Sequence, residues 1–336
     1  MWILLLGLAW SVSYLFTGQV RRYALSRSIL DVPNERSSHQ TPTPRGGGLA
    51  IVLSFLGTVV FLYFFNGLPS QLALGLLGSG LVVALIGFLD DHGHIAARWR
   101  LLAHFAAASS ALYWLGKPPV LLLPGIAIES GWLGWVLAAL YLVWLLNLYN
   151  FMDGIDGIAA GEAVSVSLSA AALAVICDLP FEYVLLPLIL AACVAGFLVW
   201  NFPPARIFMG DAGSGFLGIV LGVMSLQAAR VNPDLLWAWL ILLGVFVVDA
   251  TLTLLRRLFR GERVYEAHRS HAYQFASRRY RAHRPVTLAV LVINWGWLTP
   301  WALVVASGVI PGAIALLIAY VPLVILAFRF KAGAID

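Results

Sequence analysis

The chain has 336 residues, of which 61% are hydrophobic and 11% charged, and its formal net charge is +5. Soluble domains are nearer half apolar and a quarter charged. The mean hydropathy of +0.89 therefore excludes a water-soluble globule, a disordered chain and a coiled coil. Apolar stretches of about 20 residues, each long enough to cross a bilayer as a helix, recur along the chain. They predict an all-α, polytopic integral membrane protein that forms a single domain over residues 1–336.

Charged or Gly/Pro-rich breaks divide the chain into eleven predicted membrane-spanning helices. The first is interpreted as a retained span and not a signal peptide, because no basic segment precedes it. The predicted spans are 1–18, 47–66, 71–89, 100–116, 133–150, 158–177, 183–200, 213–229, 235–256, 287–306 and 310–329.

The distribution of basic residues predicts the orientation. All but two of the 21 Lys and Arg residues fall on one side of the eleven-span arrangement, and Lys117 and Arg230 are the exceptions. The positive-inside rule makes the basic side cytoplasmic, with a periplasmic N-terminus and a cytoplasmic C-terminus. The net positive charge is thus explained by topology, and no nucleic-acid partner is expected. The predicted cytoplasmic loops lie near 19–46, 90–99, 151–157, 201–212 and 257–286.

The first two cytoplasmic loops carry polar residues that folding alone does not require. Arg45 stands beside Gly46, Gly47 and Gly48, whose backbone N–H groups could cradle a phosphate at a helix N-terminus. An ordinary Pro/Gly connection explains the same residues equally well. Asp90 and Asp91 end the third span, and neighbouring side chains on a helix diverge by about 100°, so one is expected to face a site.

The end of the fifth span is the most specific motif. Asn147, Asn150, Asp153 and Asp156 recur at steps of three, which on a helix places each beside the next. Burying acids at the end of an apolar span is costly, so such a set indicates a cation or polar ligand. A capped helix end would explain one of these residues but not all four.

The next cytoplasmic loops add two further candidates. Gly210 and Asp211 precede the eighth span, where a carboxylate beside flexible backbone suits Mg²⁺. The alternative for Asp211 is an isolated helix N-cap. The long Arg-rich loop contains His268, Arg269 and His271, which could hold an anionic diphosphate; a basic segment lying on lipid headgroups is the alternative. Asp249, inside the ninth span, joins the candidates as an intramembrane carboxylate.

In combination, these motifs resemble the polyprenyl-phosphate N-acetylhexosamine-1-phosphate transferases over nearly the whole chain. The loop Pro-Thr-Pro-Arg-Gly-Gly-Gly and the lack of a three-histidine run are more similar to the O-antigen-initiating branch than to the peptidoglycan enzyme. This difference argues against a UDP-N-acetylmuramoyl-pentapeptide donor. The residues that carry the resemblance are Pro33–Ser37 with His39, Pro42–Gly48, Asp90–Asp91, Asn147–Gly157, Phe208–Gly215 and His268–His271.

The resemblance implies transfer of a sugar-1-phosphate from a UDP-sugar to undecaprenyl phosphate at the bilayer, with release of UMP. It implies Mg²⁺, with Mn²⁺ as a substitute, and a homodimer would be consistent with the family. The implied metal ligands are Asn150 and Asp211. The implied catalytic residues are Asp90, Asp91, Asp153 and Asp156, the last two on the nucleotide side. The implied substrate-binding residues are Arg45, Asn147, Gly210, Asp249, His268, Arg269 and His271.

Two other functions share some of these features. A secondary transporter of an anionic solute also has intramembrane acids and glycine-broken helices, but its site would lie near the midplane. A phosphotransferase of the CDP-alcohol type would carry an Asp-Gly-x-x-Ala-Arg signature, which this sequence lacks. Direct attack by the acceptor and a covalent phospho-sugar intermediate on an Asp both remain open at this stage.

Overall fold

The computed structural model describes residues 1–33, 41–93, 95–129, 131–262 and 268–334, and within them the chain is almost entirely helical. The segment 34–39, which carries part of the family resemblance, lies outside the described residues. The helices are α1 (Trp2–Ser26), α2 (Gly48–Phe65), α3 (Ser70–His92), α4 (Ala97–Leu115), α5 (Gly131–Phe151), α6 (Ile158–Ile176), α7 (Phe181–Asn201), α8 (Asp211–Val231), α9 (Asp234–Leu242), α10 (Gly244–Phe259), α11 (Ala272–Tyr280), α12 (Arg284–Ile293), α13 (Thr299–Ala306) and α14 (Gly312–Arg329).

The prediction of an all-α polytopic protein is confirmed. Within the described residues, nine helices or continuous helical stretches are long and apolar enough to cross a membrane, and α9 with α10 adds a bent tenth. A helix also stands at the predicted fourth span, α4, but this helix falls short of that standard because Arg98, Arg100 and His104 make it less apolar.

The ninth predicted span differs from the expectation of one straight helix. The chain turns by 78° between α9 and α10, at the single residue Leu243. A continuous apolar sequence does not reveal such a turn, because both halves have helical periodicity. A π-helical turn, Asn294–Leu298, joins α12 to α13 inside the tenth span.

The remaining regular structure is two short antiparallel hairpins. The pair β1 (Leu30–Asp31) and β2 (Thr43–Pro44) lies at the end where α1 finishes and α2 begins. The second pair, β3 (Leu121–Leu123) and β4 (Ile126–Ile128), connects α4 to α5 at the opposite end.

The helix α8 lies at the centre of the bundle, and 94% of its most apolar 18-residue stretch is buried inside the protein. It packs on α2, α3 and α5, and glycines permit close approach at each contact: Gly48 of α2, Gly87 of α3 and, on the α5 side, Gly218 of α8 itself. A Cβ atom at Gly48 would lie 2.4 Å from Gly213 Cα, and one at Gly87 would lie 2.5 Å from Ala212 N. This packing brings the last turns of α3 and α5 to the first turn of α8, where the candidate residues lie.

Candidate active site

Side chains from four helices meet at one end of the bundle, which we call the acidic cleft. Asp90 comes from α3, Arg100 from α4, Asn150 from α5 and Asp211 from α8. These residues line a cleft of about 410 Å³. The sequence separates them by up to 121 positions, so only the packing of the bundle brings them together.

The predicted metal ligands are neighbours in the acidic cleft. The side chains of Asn150 and Asp90 adjoin the Asp211 carboxylate and line the same cleft. Asn150 Nδ2 also donates to Ser214 Oγ at 3.2 Å, which fixes the direction of the amide. The Arg100 guanidinium lies beside both carboxylates, with Nη1 2.6 Å from Asp90 Oδ2 and 3.6 Å from Asp211 Oδ2, and so offsets part of their mutual repulsion.

Asp90 and Asp91 point to different surroundings, as the helical geometry predicts. Asp90 lines the cleft, accepts from Arg100 Nη1 at 2.6 Å and accepts from the Ile95 N–H at 2.8 Å. Asp91 is only 5% exposed and accepts from the N–H groups of Asp211 and Ala212, at 3.2 and 3.3 Å. Asp91 therefore anchors the N-terminus of α8, whereas Asp90 is presented to the cleft.

The residue before Asp211 makes that anchoring close. Gly210 has φ +81°, and a Cβ atom there would lie 2.6 Å from Asp91 Oδ2. A side chain at this position would therefore both strain the backbone and displace the Asp91 carboxylate. The Arg45 guanidinium donates to the Asp91 carbonyl oxygen, which ties the loop before α2 to the same corner.

The glycines after Arg45 do not form an open phosphate cradle. The N–H groups of Gly47 and Gly48 donate to the carbonyls of Phe208 and Met209, each at 2.9 Å. That part of the hypothesis is wrong, because these donors are already occupied. The glycines instead allow the loop to pack closely on Phe197 and Gly213.

The motif at the end of α5 is helical only in its first half. Since α5 ends at Phe151, Asn147 and Asn150 share a helix face but Asp153 and Asp156 do not continue it. Asn147 Nδ2 donates to the Val143 carbonyl at 2.7 Å and lies 3.3 Å from His104 Nδ1. The expectation of one drifting helical face over all four residues is therefore wrong.

Asp153 lies in the connection between α5 and α6 and senses several acids. Burial, together with the negative charges of Asp211, Asp91 and Asp156, raises the pKa of Asp153 well above its usual range. Burial of the carboxyl group is the larger cause of this raised pKa, and repulsion by the three neighbouring acids adds to it. An added cation would relieve this repulsion.

Asp156 faces a second depression, which we call the basic cleft. Its volume is about 1,690 Å³, and it is lined by Phe208, Arg278, Arg281, His283 and Arg284 as well as Asp156. Asp156 Oδ2 accepts from the Ala205 N–H at 3.0 Å, and Asp156 Oδ1 lies 3.0 Å from His283 Nδ1. These contacts hold the α5–α6 connection against the basic loop.

The predicted histidine pair forms a compact loop before α11. The His268 and His271 rings stack with centroids 4.9 Å apart, and His271 begins α11 as its N-cap. Asp249 of α10 accepts from the Ala272 and Tyr273 N–H groups at 2.9 and 3.0 Å and lies 3.4 Å from His271 Nδ1. Asp249 thus holds α11, and Tyr273 donates to the Phe151 carbonyl at 2.9 Å. Arg269 lies in the same loop, where its carbonyl accepts from Arg278 at 2.9 Å.

Three residues of the site are not among the candidates predicted from the sequence. Arg100 and His104 lie in the predicted fourth span, where they were not examined as candidates, and His283 lies in the basic loop. Polar residues one helical turn apart within an apolar stretch were the available signal for Arg100 and His104. His283 had no local signal, because its partner Asp156 is 127 residues away.

The candidate metal ligands in the acidic cleft are one amide and one carboxylate, with a second carboxylate beside them. No three His, Cys, Asp or Glu side chains in the described ranges are grouped so as to hold a metal ion by themselves. A Mg²⁺ ion commonly uses one or two protein groups with waters and substrate phosphates as its other ligands. The pair Asn150 and Asp211 fits that mode, with Asp90 beside it.

Comparison with known proteins agrees with this arrangement. The model of the family described as glycosyl transferase family 4 matches residues 73–229, which contain the acidic cleft. The chain is 29% identical over 286 residues to a probable undecaprenyl-phosphate N-acetylglucosaminyl 1-phosphate transferase of Bacillus subtilis (strain 168), covering 84% of this chain and 78% of that protein.

Two further relatives have related activities in their names. The chain is 29% identical over 332 residues to a decaprenyl-phosphate N-acetylglucosaminephosphotransferase of Mycobacterium tuberculosis (strain ATCC 25618 / H37Rv), covering 88% of this chain and 79% of that protein. It is 28% identical over 275 residues to a phospho-N-acetylmuramoyl-pentapeptide-transferase of Bacillus mycoides (strain KBAB4), covering 76% and 82%. The chain is therefore similar to glycosyl transferase family 4 over residues 73–229 and, over most of its length, to polyprenyl-phosphate N-acetylglucosamine-1-phosphate transferases.

Proposed function

We propose that this chain transfers N-acetylhexosamine-1-phosphate from a UDP-sugar, UDP-N-acetylglucosamine or a 6-deoxy relative, to undecaprenyl phosphate with release of UMP. This reaction would initiate O-antigen or a related cell-surface polysaccharide. The observation that carries the proposal is the meeting of Asn150 and Asp211 beside Asp90 in one cleft. The names of the Bacillus subtilis and Mycobacterium tuberculosis relatives support the same chemistry.

The two clefts suggest where each substrate binds. The basic cleft offers arginines from the α11–α12 region to a nucleotide diphosphate, and bidentate guanidinium contacts suit phosphate oxygens. The acidic cleft lies at the ends of α3 and α5, where the phosphate of a membrane-bound acceptor could reach it. Asp153, between the two clefts, would lie beside the reacting phosphates.

Mg²⁺ is the metal that the ligands favour, with Mn²⁺ as a substitute. Asp211 and Asn150 would hold it by oxygen atoms, leaving its other positions to water and phosphate. When bound, the ion would neutralise charge on the donor diphosphate. It would also add to the positive charge of Arg100, which offsets the repulsion between Asp90 and Asp211.

The protein side chains would mainly orient two anions. An oxygen of the acceptor phosphate attacks the donor phosphorus that bears the sugar. The bond from this phosphorus to the oxygen that bridges the two donor phosphorus atoms breaks, and UMP leaves. Both oxygens of Asp90 already accept hydrogen bonds from Arg100 and Ile95. These hydrogen bonds favour a role for Asp90 in orienting the acceptor over a role as a nucleophile. They therefore favour direct attack by the acceptor. A sugar-phosphate adduct trapped on the protein would contradict direct attack.

The reaction would take place at the cytoplasmic face of the bacterial inner membrane. The asymmetry of the basic residues supports a cytoplasmic location for the ends of α3 and α5. A soluble UDP-sugar is reachable there, while the acceptor stays in the bilayer.

The direct test uses the purified protein in detergent. UMP release from UDP-N-acetylglucosamine should require both undecaprenyl phosphate and Mg²⁺, and EDTA should abolish it. A panel of 6-deoxy UDP-sugars would identify the preferred donor. We expect that UDP-N-acetylmuramoyl-pentapeptide does not serve as a donor. Uptake of an anionic solute into proteoliposomes, without UMP release from any donor, would instead establish a transporter.

A further inference from the structure

The chain that follows α14 folds back against the histidine loop. This return segment, Phe330–Ala334, starts with a reversal in which Lys331 has φ +56° and the Ala332 N–H donates to the Ala327 carbonyl at 2.8 Å. Ala332 is completely buried, so the segment is packed into the protein.

One end of the return segment bonds directly to the loop that carries the two histidines. The Gly333 N–H donates to the Ser270 carbonyl at 2.6 Å. The Ser270 hydroxyl lies 2.9 Å from His268 Nδ1, and the ring of His268 stacks on that of His271. The bond at Gly333 therefore acts on the residue that lies between the histidines.

The same segment is fixed to α10. Arg256 Nη1 donates to the Ala332 carbonyl at 2.7 Å, and the Arg256 guanidinium lies 5.2 Å from the centre of the Phe328 ring. Gly333 packs so closely on α10 that a Cβ atom would lie 3.0 Å from the Thr253 carbonyl oxygen. Thr253 Oγ1 in turn donates to Asp249, the carboxylate that holds the start of α11.

We propose that the return segment positions the His268–His271 loop for the transfer reaction. This inference rests on the proposed function and assumes that the loop holds the donor diphosphate together with the arginines of the basic cleft. The loop adjoins that cleft, because Arg278, which lines the cleft, donates to the Arg269 carbonyl. Asp249 holds the loop at residues 271–273 and the return segment holds it at the neighbouring Ser270, so two separate elements fix the side of the loop that leads into α11. Gly333 and Arg256 are positioning residues, since they contact the loop or its support and not the acidic cleft.

The test substitutes Gly333 with a matched control. Gly333→Val places a side chain against Thr253 and forces valine into a backbone conformation with φ +69°, which L side chains rarely adopt. Gly308→Val is the control, because Gly308 has nearly the same φ, +68°, but has open space around its Cβ position. We expect kcat to fall about tenfold or more in Gly333→Val relative to Gly308→Val, since small misplacements of binding groups cost rate steeply. The donor KM should change less than kcat.

A second readout separates positioning from general damage. In a His268→Ala background, Gly333→Val should cost little additional activity, because coupled residues do not act additively. Hydrogen exchange at residues 268–275 should accelerate in Gly333→Val and not in Gly308→Val. This measurement needs no activity, so it tests the positioning even if wild-type protein releases no UMP, which would contradict only the proposed function.

Arg256 gives an independent variant should Gly333→Val fail to accumulate. Arg256→Ala should reproduce the loss of kcat and the faster exchange, and Arg256→Lys should restore part of both. The inference is overturned if Gly333→Val and Arg256→Ala match Gly308→Val in kcat and in exchange at the loop. It is also overturned if Gly333→Val and His268→Ala reduce activity independently.

Discussion

Adjacent carboxylates at the end of α3 have different partners, and this difference separates orientation of a substrate from support of a helix. Asp90 faces the acidic cleft with Arg100 beside it, whereas Asp91 accepts the first N–H groups of α8. The sequence gives no means to choose between them, because both are acids at one helix end. The choice depends on α8, which begins 120 residues after Asp91.

Asp90→Asn should bind donor but turn over slowly. The amide keeps the shape of the side chain but loses the charge that would orient the acceptor, so kcat should fall by about 10²-fold or more with a small change in donor KM. Asp91→Asn is the comparison, and it should mainly lower the thermal midpoint, by the equivalent of about 1–2 kcal/mol. The assay is UMP release together with thermal unfolding in detergent. Equal kcat losses with unchanged midpoints would contradict the separate roles.

Asp211→Asn should weaken the use of metal. Replacing a charged oxygen ligand by a neutral one should raise the Mg²⁺ concentration for half-maximal activity by about tenfold or more. Asp234→Asn is a matched control, because Asp234 is also the first residue of a helix but lies about 30 Å away, at the other end of α8. Titrations of UMP release with Mg²⁺ and with Mn²⁺ provide the measurement. Unchanged metal dependence in Asp211→Asn would remove this residue from the ligands.

Among the helices, the contact of α2 with α8 depends on the absence of side chains. Gly48 and Gly213 face each other so closely that the backbones are in van der Waals contact, and this contact sets the position of the first turn of α8. From the sequence, Gly48 is expected to bind phosphate, and Gly213 has no predicted role in packing. Their actual role in close packing requires knowledge of which helices are neighbours.

Gly48→Ala should therefore destabilise the protein. Its methyl group would meet Gly213 Cα at 2.4 Å, which forces backbone movement and should cost about 1–3 kcal/mol. Gly57→Ala, in the same helix with open space at its Cβ position, should leave the thermal midpoint within about 1 kcal/mol of the wild type. Thermal unfolding in detergent compares the two variants. Similar thermal midpoints for both variants would show that α2 and α8 can move apart without loss of stability.

The positions and approximate lengths of the spans could be predicted from the sequence, because each needs only a local apolar run. Their interruptions could not. The turn at Leu243 and the short helix α11 depend on packing against elements distant in sequence, and the local pattern is compatible with straight helix or with loop. The predicted end of the fifth span, residue 150, agrees with the end of α5 at Phe151. The helical face predicted to continue over Asp153 and Asp156 is wrong, because these residues find partners outside the helix.

For the whole molecule, the distribution of Lys and Arg predicts which end of the bundle faces the cytoplasm. Single cysteines introduced at Lys117 and Arg279, both exposed positions, test this in a background that lacks Cys177 and Cys193. A membrane-impermeant maleimide added to intact spheroplasts should label the cysteine at 117. It should label the one at 279 only after permeabilisation. The reverse labelling would place the active site on the outer side and contradict the proposed donor.

The convergence of the acids at one end could be predicted in outline, since the motifs fall in loops on one predicted side. The division into an acidic and a basic cleft could not, because it depends on where the α5–α6 connection lies. Asp153 and Asp156 are three residues apart, yet Asp156 lines the basic cleft while Asp153 senses Asp211. Sequence spacing indicates shared involvement but not the direction of each side chain.

The bend at Leu243 also has a consequence for the support of α9. The nine residues of α9 extend about 14 Å, less than half of the hydrocarbon thickness, so α9 cannot cross alone. It is held by α14, whose Tyr320 hydroxyl donates to the Leu240 carbonyl across 80 residues of sequence. A chain truncated before α14 should therefore lack one of the supports of α9, and limited proteolysis should then cut at α9 faster than in the full chain.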